Sequence, residues 1–393
     1  MSTTTINANV LESRDGIEVR GYAHPGFEPM ATAALANLTA GEDIGMQIAA
    51  FRGGDLLFNL DGGYLDATRK RLYPSGALQL TFSVSKAMLA LCVALLVEDS
   101  RLSLDATVAS YWPEFAQSGK SAITVRELLN HQAGLPTFTR VMSVADLSDW
   151  QLCVTTLAAQ PPTWAPGQAL GYHAVTIGYL VGELVTRVTG LRPREFFAQE
   201  IAGPLHADAW FGVPRDRLAD VVPHIPGSAA EDIARWRQER LASAPSFVTQ
   251  GASNPRVSLA SLDVPAVWQA EIPAVSLVAD ARSLALCMSV ALPGPTQLIS
   301  ASTLTALTAA SAEGQDLVLI EQPSRYASLF MLSSPREPML GPSSFGHNGF
   351  SGSLVFADRD SNITFAYLGN RAEPSPTPHS RVSRLMAALR ECV

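Results

Sequence analysis

The chain has 393 residues, of which 47% are apolar and 16% charged, so it can bury a large core and does not read as a disordered or coating protein. A formal net charge of -8 and a pI near 5.4 exclude polyanions as natural partners, and no basic patch suited to nucleic acid is visible. The opening residues Met1 to Glu18 are polar and mixed in sign, and the longest apolar run, Ala87 to Val97, is too short to span a bilayer; the expectation is a cytoplasmic protein without a membrane span.

In chain order, a helix is expected over Phe27–Leu38, then a strand over Ile44–Phe51. A second strand, Asp55–Leu60, should pair with it and end in a turn at Asp61-Gly62-Gly63. Val84–Glu98 reads as a helix apolar nearly all round, and therefore buried. From Ser103 to Trp268 the pattern is helical and loop-rich, with clearer helices at Val125–Asn130, Ala174–Thr189 and Pro193–Glu200. Strand character returns at Ala327–Leu332, Gly352–Ala357 and Ile363–Leu368, with Asp358–Ser361 as a turn. A stretch at Pro374–Pro378 sets off a final amphipathic helix, His379–Glu391.

Strands at both ends with helices between them predict an α+β fold: one antiparallel sheet built from both termini, with an inserted, mainly helical domain. The expected division is 1–86 with 270–393 for the sheet domain and 87–269 for the helical one, with a binding cleft where they meet. Cys92, Cys153, Cys287 and Cys392 are scattered without a CxxC pair, which suits reduced thiols better than disulfides or a zinc site.

Only three lysines accompany 25 arginines, and one of them, Lys86, opens an uninterrupted run of eleven apolar residues. Ser83-Val84-Ser85-Lys86 therefore attracts notice. Positions i and i+3 share a helix face, so the hydroxyl and the amine can meet. A desolvated amine can take the proton from a serine that is otherwise a weak nucleophile, and a helix N-terminus offers N–H groups to developing negative charge. The competing reading is a helix-capping serine beside a surface lysine.

Tyr172, within Pro166-Gly167-Gln168-Ala169-Leu170-Gly171-Tyr172-His173-Ala174, stands just ahead of a helix. Close to a lysine cation its pKa should fall, which would suit a proton-transferring base; as one tyrosine of eight it can equally be packing. Gly346-His347-Asn348-Gly349-Phe350-Ser351-Gly352-Ser353 precedes a strand. Its glycines can admit a ligand close to the backbone or simply form a turn.

These three segments, in this order, resemble the serine β-lactamase-like, penicillin-recognising superfamily. The likeness is closest to the branch holding class C β-lactamases, D,D-peptidases and family VIII carboxylesterases. Thr124–Pro136 with its His131-Gln132-Ala133-Gly134-Leu135-Pro136, the Pro166–Tyr172 segment, and Gly182–Gly190 resemble further family signatures, so the likeness runs from about Gly26 to Arg390.

The resemblance implies Ser83 as nucleophile, Lys86 as its activating partner, Tyr172 as the proton-transferring base, and His347-Asn348-Gly349 as the late triplet lining the cleft. It also implies an oxyanion hole from the Ser83 and Phe350 N–H groups, and a structural role for His131. Two departures matter. Ala174 stands where β-lactamases and peptidases carry asparagine, and His347 replaces the lysine of β-lactamases. Both losses disfavour penicillins and peptides, so the expected reaction is hydrolysis of short-chain or aryl carboxylic esters through an acyl-serine, with no metal or organic cofactor. Trp164, Trp268, Tyr326 and Phe350 are candidates for an apolar acyl pocket. The alternatives are a β-lactamase or D-amino-acid peptidase, an acyltransferase, or a non-catalytic scaffold.

Overall fold

The computed structural model describes residues 9–227, 239, 254–309, 312–319, 323–335, 337–372 and 380–393. The expected spacer at Pro374–Pro378 lies outside them.

Ten strands form the main sheet: β1 (Asn9–Arg14), β2 (Ile17–Ala23), β3 (Gly45–Arg52), β4 (Asp55–Gly63), β5 (Ala312–Gln315), β6 (Pro323–Ala327), β7 (Phe330–Leu332), β8 (Ser344–Asn348), β9 (Leu354–Asp358) and β10 (Ile363–Gly369). Their spatial order is β1-β2-β4-β3-β10-β9-β8-β7-β6-β5, antiparallel throughout. The N-terminal four strands therefore meet the C-terminal six at the β3–β10 seam, where Ala50 pairs with Phe365. One sheet built from both ends of the chain, as expected, is the frame of the molecule.

Side-chain alternation explains why the central strands read as unbroken apolar runs. In β3, Met46, Ile48 and Ala50 face a core formed with helices α1 (Glu28–Thr39) and, at the far end of the chain, Ser380–Glu391. Ala49 and Phe51 face the opposite core, with helices α2 (Ser85–Glu98) and Ala281–Met288. The same alternation runs through β9 and β10. A strand covered on both faces has no solvent side to mark with polar residues. The second core continues without a break from the sheet into the helices between residues 102 and 213.

Two expectations needed correction. The turn after β3 is Gly53-Gly54, both at positive φ (57° and 92°), and Asp61-Gly62-Gly63 continues β4. Those glycines serve close packing: a Cβ on Gly62 would stand 2.6 Å from the Glu18 carbonyl, and one on Gly63 2.2 Å from the Ile44 carbonyl. Ala327–Leu332 is not one strand but the hairpin between β6 and β7, reversing at Ser328 and Leu329, both at positive φ. The Asn130 Oδ1 and Leu129 carbonyl hold the two turn N–H groups at 2.8 and 3.0 Å. A distant corner of the chain thus stabilises a backbone conformation that neither residue favours alone.

A small second sheet joins Gln79–Leu80 and Ala209–Phe211 to opposite sides of Leu277–Ala279. It clamps the entry to α2.

Candidate active site

Ser83 lies in a single 3-10 turn, Phe82–Val84, that leads directly into α2. Phe82 adopts φ 49°, an outlier for a bulky residue. The neighbouring strand holds it there. Thr81 N and Oγ1 both donate to the Leu277 carbonyl, Ser85 Oγ donates to the Phe82 carbonyl, and the Leu277 N–H donates back to Ser85 Oγ.

Of the 14 residues of α2, 11 are buried, and Lys86 is among them at 0% exposure. Its Nζ stands 3.1 Å from Ser83 Oγ, 2.8 Å from the Ala174 carbonyl and 3.0 Å from the Ala274 carbonyl. Burial, with no carboxylate to offset it, pushes the amine well below the usual lysine range. A neutral amine has two N–H groups and one lone pair. With the two carbonyls taking its N–H groups, the neutral amine would turn its lone pair to the Ser83 hydroxyl, whereas the cation donates to all three oxygens. Lys120, by contrast, is buried only as a structural donor to the Gln117 and Gln160 carbonyls.

The Tyr172 hydroxyl donates to Ser83 Oγ at 2.9 Å. The phenol is pushed up by burial, so the expected fall in its pKa is corrected and it remains a proton donor. The backbone around it is fixed from several sides. Gly171 N donates to the His131 carbonyl, His173 N to His131 Nδ1, and Tyr172 N to both oxygens of Asp316 (3.1 and 3.2 Å). His131 is buried, held neutral, and packed between the rings of Tyr172 and Tyr326, which suits a structural histidine. Its segment is itself pinned by a capping box, Thr124 with Glu127.

The late triplet is not a turn. Ser344–Asn348 is β8, and Gly346 serves sheet pairing, since a Cβ there would lie 2.0 Å from the Val355 carbonyl. The chain turns only at 349–352. Gly349 abuts the nucleophile turn, where a Cβ would be 2.6 Å from the Thr81 carbonyl, and the Phe350 ring packs on Phe82 at 5.7 Å. Among the described residues, neither the Ser83 nor the Phe350 N–H is taken by a backbone acceptor.

His347 is 1% exposed; its Nδ1 is 2.7 Å from the Asn348 carbonyl, so Nδ1 carries the proton and Nε2 is a buried, unpartnered acceptor. Burial lowers its pKa to about 3, so it adds no positive charge. Asn348 Nδ2 donates to Glu337. Ala174 is exposed, and no amide extends from it. Of the four aromatic pocket candidates, Trp268 and Tyr326 are buried packing, Trp164 packs against Gly171 and His173, and Phe350 alone is substantially exposed, at 37%.

The structure thus brings Ser83, Lys86 and Tyr172 to one point, with His347 and the 349–352 loop beside them. Sequence reasoning did not find Asp316, the Ala274 carbonyl, or the buried pair of His224 and Asp263, whose histidine ring stacks 5.1 Å from Phe82. None of these carries a motif; only their contacts reveal them. A cavity of about 380 Å³ lined by Arg194, Phe197, Trp210 and Phe211 contains none of the site residues.

A large antiparallel sheet flanked by helices, with serine, lysine and phenol meeting beside β8, defines a β-lactamase-like protein. The beta-lactamase family model matches residues 32–389, and the chain belongs to that family. It is similar to the Esterase/beta-lactamase LipL of Mycobacterium tuberculosis, with 29% identity over 390 residues, covering 94% of this chain and 88% of that protein. Among solved structures it is similar to a family VIII carboxylesterase (30% identity, 96% of this chain and 100% of the other, TM-score 0.88). A penicillin-binding protein homologue from Caulobacter crescentus is also similar (30% identity, 95% and 100%, TM-score 0.83). Among the described residues, no helix is long and apolar enough to cross a membrane.

Proposed function

We propose that the protein is a serine carboxylesterase that cleaves short-chain or aryl esters through an acyl-Ser83 intermediate. The observation that carries this reading is the convergence on Ser83 Oγ of Lys86 Nζ at 3.1 Å and the Tyr172 hydroxyl at 2.9 Å. In the mechanism, neutral Lys86 takes the Ser83 proton as Oγ attacks the ester carbonyl. The oxyanion is met by the Ser83 and Phe350 N–H groups. Tyr172 protonates the departing alkoxide and recovers a proton from Lys86. Water then enters and the same transfers run in reverse, releasing the acid.

The names of LipL and of the family VIII carboxylesterase support an ester substrate. So do the neutral His347 and the exposed Ala174, which supply neither a cation for a substrate carboxylate nor an amide for a peptide. A cytoplasmic location is part of the proposal; four unpaired cysteines suit a reducing compartment. The likeness to a penicillin-binding protein homologue keeps lactam and amide cleavage as the second reading.

A fluorophosphonate should add one adduct to the intact protein, mapped to Ser83, and Ser83→Ala should lose both adduct and turnover. Nitrophenyl esters should be turned over faster than nitrocefin or D-alanyl amides; the reverse order would replace the esterase by the second reading.

A further inference from the structure

Asp316 is fully buried on the segment after β5, where backbone N–H groups and the Ser324 hydroxyl meet its carboxyl. Tyr172 N reaches both carboxylate oxygens at 3.1 and 3.2 Å, while Val318 N and Leu319 N reach Oδ1 at 2.8 and 2.9 Å. The strand-like bridge between Leu170 and Asp316, and the bond from Leu317 N to the Leu170 carbonyl, complete the seam. Three backbone N–H groups on one carboxyl favour its ionised form, against the opposing effect of burial.

We propose that Asp316 is a positioning residue for the proposed esterase chemistry, fixing the Tyr172 backbone so that the phenol meets Ser83 Oγ. The inference rests on the acyl-Ser83 reading. It is distinct from the roles of the groups that face the phenol: Ser83 and Lys86 at the head of α2, His131, Tyr326 on β6 and His347 on β8. Among these, the amine and both imidazoles are held towards their neutral forms, and Asp316 supplies the carboxyl of the cluster. Its charge is among the influences that keep the phenol protonated, secondary to burial. The carboxyl's own pKa is raised by burial while the N–H bonds oppose that rise.

Among the described residues Asp316 makes no hydrogen bond to Ser83, and its direct link to the site is the Tyr172 N–H. Asn at this position keeps the size and the Oδ1 acceptor but puts an N–H₂ where the Tyr172 N–H now meets Oδ2, so half of that contact turns repulsive and the charge is lost. A double-mutant cycle separates such a positioning effect from a general loss of structure. The rate of fluorophosphonate addition to Ser83, mapped by mass spectrometry, is measured in the wild type, Asp316→Asn, Tyr172→Phe and the double variant.

Asp316→Asn should slow addition about 10- to 100-fold, the scale of a displaced catalytic group. In the Tyr172→Phe background it should cost less than about 2-fold, because the hydroxyl it positions is gone. Equal losses in both backgrounds would overturn the proposal. Should Asp316→Asn not fold, Asp316→Glu, which keeps the charge but displaces it, is read by the same cycle with the same criterion. Absence of any Ser83 adduct in the wild type would overturn the acyl-serine reading, and the role of Asp316 with it.

Discussion

Lys86 donates to the carbonyl of Ala274 across 3.0 Å, a bond between residues 188 positions apart that ties the amine to a distant segment of the chain. With Ala174 as the second backbone acceptor, two carbonyls and the Ser83 hydroxyl hold the nitrogen. Among the described residues, no carboxylate acts on it to draw it back to the charged form.

The sign of the resulting pH dependence follows. The folded-state pKa of Lys86 lies well below that of the unfolded chain, so between the two the unfolded state binds the extra proton. Stability due to this residue therefore rises with pH through that window, by up to about 1.4 kcal/mol per pH unit, and levels off above about 10.5. Lys86→Met should lack this slope, so urea denaturation of wild type and variant should converge or diverge steadily with pH. Parallel curves would show that the amine is charged in the fold. Wild-type kcat/KM should fall on the acid side as the same amine takes a proton.

Gly349→Ala should damage activity more than stability. The new Cβ would lie 2.2 Å from Ser353 Oγ and 2.6 Å from the Thr81 carbonyl, so the loop must move off the nucleophile turn. An overpacking cost of about 1–3 kcal/mol is expected in thermal unfolding, with a disproportionate drop in kcat. Unchanged kcat would remove the 349–352 loop from the reaction.

His347→Lys should restore the cation that this cleft lacks. Nitrocefin, which carries a carboxylate, should then show a KM lower by about 10-fold or more, as for a new charge-assisted hydrogen bond, while a neutral ester gains nothing in KM. Equal effects on both substrates would mean that position 347 does not read substrate charge.

The buried pair of Arg381 and Asp43 secures the same loop from behind, since Arg381 Nη1 meets Asp43 at 3.1 Å and Nη2 donates to the Ser351 carbonyl at 2.7 Å. Arg381→Met should cost about 3–5 kcal/mol by leaving Asp43 buried without its cation. Adding Asp43→Asn should recover part of that loss in urea denaturation, and no recovery would show that the pairing is incidental.

The motif residues were legible because their chemistry needs particular side chains at short spacing. Ser83 and Lys86 announce each other three residues apart, and the apolar run behind Lys86 already implied its burial. β3, β9 and β10 were legible from their apolar runs. What escaped was decided by distant contacts. The Ser328-Leu329 reversal depends on Asn130, the glycines at 62 and 63 on neighbouring strands, and Asp316 on donors that only the fold brings round it. The protonated state of Tyr172 was misjudged for a related reason. The expectation took Lys86 as a cation, but burial acts on both groups at once.

The β3–β10 seam also bears on how the molecule is made. β3 gains its second neighbour only when residues 363–369 leave the ribosome, more than 300 residues after β3 itself. Until then β3 offers translating chains an unsatisfied apolar edge, the kind of surface that chaperones shield and that aggregates recruit.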